Sequence, residues 1–251
     1  MTDRDLQDEL IHALADAGFR ASPRWLSRDL AAPERVERFA RFLARNFYRN
    51  RVIHFFKYSR ALAHVTGRMP EAVISEPGFD ALLPGMVLGS RDTARSVVDL
   101  VLVQQREASG SAKVSYLEEL LRYQAAMMVA EAGPRDWNGD GGRPPAEVAV
   151  AEVVDGTTVL ELEHDLPQVL AELRRPVEDV PPVPRRAIRL LVARSRQGRV
   201  SVAEINEQMA RILHLADGTR SLADLLEASG STGDPVRELI ELGAIRASSG
   251  S

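Results

Sequence analysis

The chain has 251 residues, of which 45% are hydrophobic and 27% charged, enough to bury one large core or two small ones and unlike a disordered chain. No apolar stretch is long enough to span a bilayer, and the opening MTDRDLQDEL lacks the pattern of an export signal, so a cytoplasmic protein is expected. The absence of cysteine excludes disulfides, thiolate metal sites and thiol nucleophiles, and a net charge of −4 offers no overall attraction to nucleic acid.

Residues 1–132 read as a helical bundle domain. Over 34–65 the apolar positions Val36, Phe39, Leu43, Phe47, Val52, Phe55 and Phe56 recur near a period of 3.6, behind a helix-starting Pro33. A second helix is expected over 91–108, with Ala94, Val97, Val98, Val101 and Leu102 on one face. A third starts near Ser115, with Glu118 three residues on as a capping box, and runs through Leu117, Leu120, Leu121, Ala125 and Met128 to about Ala132.

Glycine and proline crowd residues 133–146, read as a linker. Beyond it, 147–154 and 157–163 alternate around Asp155-Gly156, which predicts a hairpin. A short helix is expected over 165–174, and Pro176–Pro184 reads as a second linker or a stiff extended crossing. Ile188, Leu190 and Val192 then alternate, and Ser195–Arg199 turns the chain into Val200 and Val202 as a second hairpin. Helices follow at about 203–216, closed by Asp217-Gly218, after the cap Ser221, and from Asp234-Pro235 to Gly243, before a short strand at Ala244-Ile245. The fold class is α+β: an N-terminal helical bundle, then a mixed α/β domain over 147–251 with a winged-helix-like C-terminal module.

Chemistry-bearing motifs are scarce. Between residues 34 and 60, eight cations face two carboxylates, a net of +6, and Arg38, Arg41, Arg45 and Arg49 share one helix face. Such a face either pairs with acidic segments of the chain or docks an acidic enzyme or peptide through guanidinium–carboxylate contacts. Asp136, Asn138, Asp140, Gly141 and Glu147 match a calcium-loop spacing, but the surrounding prolines obstruct both flanking helices and favour a plain polar linker, so no metal site is expected. His12, His54, His64 and His214 are scattered, His164-Asp165 are merely adjacent, and no hydrolase, dinucleotide or phosphate-loop motif occurs. No catalytic residue is assigned, and the chain is not expected to be an enzyme. Phe39, Phe47, Phe55 and Phe56 read first as core; an exposed part of Phe47-Tyr48 or of Phe55-Phe56-Lys57-Tyr58 would mark a protein interface.

The C-terminal stretch RLLVARSRQGRVSVAEINEQMARILHLADGTRSLADLLEASGSTGDPVRELIELGAIRA resembles the C-terminal module of HvfC/MbnC/TglI-like proteins and PqqD-like peptide-recognition domains. The likeness lies in Leu191-Val192-Ala193-Arg194, in Ile212 to Gly218, in Ser221 to Leu225 and in Leu239 to Ile245, with VLELEHDLPQVL matching the family's strand and Asp-Leu-Pro turn upstream. It covers roughly residues 147–247. The resemblance implies a non-catalytic partner of an iron-dependent TIM-barrel oxidase. Such a partner binds the leader of a ribosomal precursor peptide and presents the peptide for modification, as a cytoplasmic heterodimer without a cofactor of its own. It implies strand addition to an open sheet edge, with Leu190, Leu191, Val192, Ala193, Arg194, Val200 and Val202 as the edge and Leu239 and Ile240 as a groove wall or as core. Enzyme or peptide docking falls to Arg38, Arg41, Arg45 and Arg49.

The rival reading is a winged-helix DNA-binding transcription regulator. Its reading helix would be Pro235–Leu242, yet residues 203–243 hold three arginines against eight acids, a net of −5 that repels a duplex. Neither nucleic acid nor a membrane is expected as a partner. A third reading, a generic scaffold without a peptide groove, would bind partners regardless of changes in the 187–203 hairpin.

Overall fold

The computed structural model describes residues 3–28, 30, 32–133, 149–195, 197–230 and 233–249. The fold is α+β, with an N-terminal helical region and two small antiparallel sheets among the described residues. It divides into two compact units: residues 1–121 with 172–181, and residues 122–171 with 182–251. No helix among the described residues is long and apolar enough to cross a membrane.

The first unit opens with α1 (Asp3–Ala15), α2 (Ala17–Arg20) and α3 (Pro23–Leu26). Glu9 of α1 is buried and holds Arg24 at 2.6 Å and Arg28 at 2.7 Å. The longest helix, α4 (Pro33–Phe55), buries Ala40, Ala44, Tyr48, Val52 and Phe55. This face lies beside the one expected. Phe39 is 50% exposed and Phe47 only half-buried, because the small Ala40 and Ala44 turn inward and line a cleft with Leu14, Leu83 and Met86. Tyr48 fixes the rotation by accepting the Gly89 N–H at 3.3 Å.

The continuous helix expected to residue 65 is broken at Phe56 and Leu62 into α4, α5 (Lys57–Ala61) and α6 (Ala63–Thr66), with Gly67 closing the last at φ +79°. After α7 (Pro77–Leu82), α8 (Arg91–Arg106) is capped by Ser90, which accepts the Thr93 N–H at 3.2 Å. It buries Ala94, Val97, Val98 and Val101 as expected. The unit boundary falls inside α9 (Leu117–Glu131), which the sequence carries on towards Ala132. Residues 172–181 rejoin the first unit, where the Val177 N–H donates to Ala61 O at 3.0 Å.

In the second unit, β1 (Ala149–Val153) and β2 (Thr158–His164) flank a turn at Gly156, φ +89°. The chain turns where Asp155-Gly156 predicts, yet the two strands do not form a hairpin. After β2 come α10 (Leu166–Val169), β3 (Arg185–Arg194), β4 (Val200–Glu204), α11 (Glu207–Leu215), β5 (Asp217–Ser221), α12 (Leu222–Ser229), α13 (Gly233–Glu241) and β6 (Ile245–Ser249). One sheet has the order β5-β1-β6 and the other β2-β3-β4, all antiparallel. Distant partners outcompete the local turn: Val153 opposes Ile245, and the Val154 N–H donates to Ala244 O at 2.9 Å.

The segment α11-β5-α12-α13-β6 follows winged-helix order, with β1 inserted from upstream. Helix α11 starts later than the sequence suggests, because Ile205 still donates to Arg189 O at 2.9 Å and Asn206 caps the helix. Leu191, Ala193, Ile205, Ile212, Leu225 and Leu239 meet in one core beneath these helices. The proposed linker from Pro134 on, and the calcium-like pattern Asp136–Glu147, lie outside the described residues.

Candidate functional site

The run Leu190–Arg194 was expected to supply an open hydrogen-bonding edge. It cannot, because β3 is the central strand: Leu190 opposes Leu160 on one side and Glu204 on the other. Leu190, Leu191, Val192 and Ala193 are all buried, so both faces of the strand are covered. An unbroken apolar run signals such a strand, since an edge strand with one wet face alternates. Arg194 is turned to the Gly133 carbonyl at 3.2 Å.

The open margin is the outer side of β4. Two bonds bracket its register with β3: Ile205 N–H to Arg189 O at 2.9 Å, and Ser195 N–H to Arg199 O at 2.7 Å. In an antiparallel ladder the bonded pairs alternate, so Ala203 and Ser201 point their backbone groups inward at Leu191 and Ala193. Val200, Val202 and Glu204 therefore point their N–H and C=O groups outward, and no backbone bond among the described residues claims them. Val202 is 38% exposed. The opposite margin of the same sheet is partly taken, since Arg122 donates to Glu161 O at 3.3 Å. On β5, Asp217 folds back onto its own strand, accepting from Thr219 N–H at 3.0 Å and Oγ1 at 2.6 Å.

Two arginine clasps hold this sheet. Arg186 on β3 reaches Asp165 at 2.6 Å and Glu204 on β4 at 2.9 Å. Arg189 lies between Glu161 on β2, at 3.1 Å, and Glu207 at the start of α11. Asp165 is buried and also accepts from Gln168 at 2.7 Å, while its Oδ1 has no hydrogen-bond partner. The Arg186 hydrogen bond holds the Asp165 carboxyl below the usual carboxylate range and pushes the guanidinium further up. A depressed pKa adds stability that is present above the unfolded value of about 3.9 and is lost as pH falls through the lower folded value. Urea midpoints should therefore fall on acidification below about pH 4. Arg186→Gln should start from a lower midpoint at neutral pH and lose less on acidification; parallel curves for the two proteins would refute the clasp.

The helical wall differs from the expected one. Leu239 is fully buried and belongs to the core rather than to a groove, whereas Ile240 and Leu242 are partly buried against it. Helix α13 carries Asp234, Glu238 and Glu241 against Arg237, which suits no phosphate backbone.

Of the four α4 arginines proposed for docking, two are consumed internally. Arg41 donates to Glu37 at 2.8 Å, and Arg45 donates to Ile74 O at 2.7 Å and pairs with Asp80. Arg38 and Arg49 are exposed and make no ion pair among the described residues. Arg35 is equally exposed, and Phe42 stands 57% exposed beside Phe39; neither was singled out from the sequence. A helical wheel centred on Arg38 rather than on the largest side chains would have found both. His12 stacks on Phe19 at 4.0 Å and His54 sits edge-on to Phe55 at 4.8 Å, both at the surface. No family model and no curated protein matches the chain.

Proposed function

We propose that this protein is a non-catalytic partner subunit that captures the leader of a ribosomally made precursor peptide as an added strand on β4. It then presents the peptide to an iron-dependent TIM-barrel oxidase, as a heterodimer in the cytoplasm. The observation that carries the reading is the outward set of backbone groups at Val200, Val202 and Glu204, unclaimed among the described residues, on a margin where Val202 and Glu204 are exposed.

A guest strand meets these groups at the spacing of a β ladder. Each bond contributes about 0.5–1.5 kcal/mol after exchange with water, so a few bonds and some apolar contact reach micromolar affinity. Selectivity comes from alternate side chains. On the core face the guest lies beside the small Ser201 and Ala203, which leave room for bulky residues; on the other face it meets Val202 and the Arg186-paired Glu204. Iron and the oxidative step belong to the partner enzyme. Holding a flexible peptide near that enzyme raises its local concentration, which is how a subunit without catalytic groups accelerates turnover.

The test is amide hydrogen exchange of the full chain with and without a short peptide encoded beside its gene. Protection at Val200, Val202 and Glu204 is expected, together with co-purification of the peptide and a barrel enzyme. Protection confined to other strands, or none, overturns the reading. A salt-sensitive gel shift with duplex DNA would favour the regulator instead, against the acidic charge of α13.

A further inference from the structure

Of the eight cations between residues 34 and 60, five are engaged within the protein, and the other three are concentrated. Arg41, Arg45 and Arg60 pair with Glu37, Asp80 and Glu71. Arg51 stacks over Phe47 and Phe55 at 5.3 and 5.4 Å, and Lys57 over Tyr58 at 5.0 Å. This leaves Arg35, Arg38 and Arg49, all exposed and without an ion pair among the described residues.

At 3.6 residues per turn these three fall with Phe39, Phe42 and Asn46 in a sector about 100° wide on the outer face of α4. The two phenylalanines are 50% and 57% exposed, with rings nearly parallel and centroids 6.3 Å apart. Burying two such rings is among the largest single gains a surface can offer, and exposing them to water is costly. Glu34 and Glu37 lie outside the sector, so nothing acidic interrupts it.

We infer that this stripe is a docking surface for an acidic amphipathic helix of a partner protein, whose apolar side covers Phe39 and Phe42 and whose carboxylates meet Arg35, Arg38 and Arg49. The stripe runs about 21 Å, the length of a helix of about 14 residues. Arginine flanking aromatic rings is the composition of interface hot spots, and guanidinium–carboxylate pairs strengthen as the rings exclude water. Shape selects a protein over a polyanion. A helix lying on a membrane needs a continuous apolar face, and single-stranded nucleic acid needs a groove along its backbone; two rings hemmed by arginines on a convex face supply neither. The inference does not depend on peptide capture at β4.

The probe is a fluorescent synthetic helix of about 18 residues, with leucines along one side and glutamates flanking them, titrated against the full chain. Saturable binding is expected, weakened about tenfold or more by Phe39→Ser with Phe42→Ser, by Arg38→Glu with Arg49→Glu, and by glutamine in place of the probe's glutamates. Because these positions are exposed, thermal melting should be unchanged, and Val202→Pro on β4 should leave the affinity intact. Absence of binding, or binding insensitive to either double variant, overturns the inference. So does tighter binding of phosphatidylglycerol vesicles or oligothymidylate with the same dependence, or self-association abolished by the phenylalanine pair.

Discussion

Val202→Pro is expected to weaken the proposed peptide capture and leave the fold in place, whereas Ala203→Pro is expected to damage the sheet itself. The two positions are adjacent but their N–H groups point opposite ways: Val202 outward to solvent, Ala203 inward to Leu191. Proline on the outward side of an edge strand costs no ladder bond, and natural sheets tolerate it there. It deletes one donor to the guest strand and places a ring where the guest backbone must lie, for a loss of about 10- to 100-fold in affinity. Ala203→Pro instead leaves the buried Leu191 carbonyl without its donor, a penalty of about 1–3 kcal/mol in stability before any strain. Anisotropy of a labelled leader peptide and urea midpoints separate the two effects. Capture unaffected by Val202→Pro would mean that the peptide binds elsewhere.

This contrast could not be written from the sequence, because strand order decides which residue faces outward. The β3–β4 hairpin was legible, since a local turn-forming segment with Gly198 separates two apolar runs. So was the buried face of α8, where Ala94, Val97, Val98 and Val101 share one side. What failed were features set by distant segments. Asp155-Gly156 does turn the chain, but β1 finds better partners in β6 and β5, some seventy to a hundred residues away. Strand β5 carries the sequence DGTRS, without an apolar residue to signal it; it exists because β1 supplies a ladder. The same cause misplaced the candidate edge: Leu190–Arg194 looked like a strand and is one, but its apolar density marks a centre. In α4 the error was one of weight. Phenylalanines drew the predicted face, while Ala40 and Ala44, small enough for close packing, set the real one.

Alanine substitutions at three glycines should grade the tightness of each unit. Gly243 ends α13 at φ +80°, and a Cβ there would fall inside the van der Waals envelope of the Arg194 carbonyl and close to Ser195. Two costs combine: about 1 kcal/mol for a left-handed conformation and about 1–3 kcal/mol for displacing backbone that cannot rotate away. Gly230 is the control within the same unit, with φ +61° and open space around the added carbon, so only the first cost applies. Gly110 reverses the case in the first unit: its φ is −99°, but a Cβ would overlap the Val65 carbonyl, so only the steric cost applies. Urea unfolding should rank Gly243→Ala as the most damaging, at about 2–4 kcal/mol, with Gly230→Ala near 1 kcal/mol. Since Gly243 abuts the residues that turn β3 into β4, Gly243→Ala should also weaken leader capture, while Gly230→Ala spares it. Equal destabilisation by these two would show that α13 does not press on the hairpin, and the link between the helix terminus and the open margin would be lost.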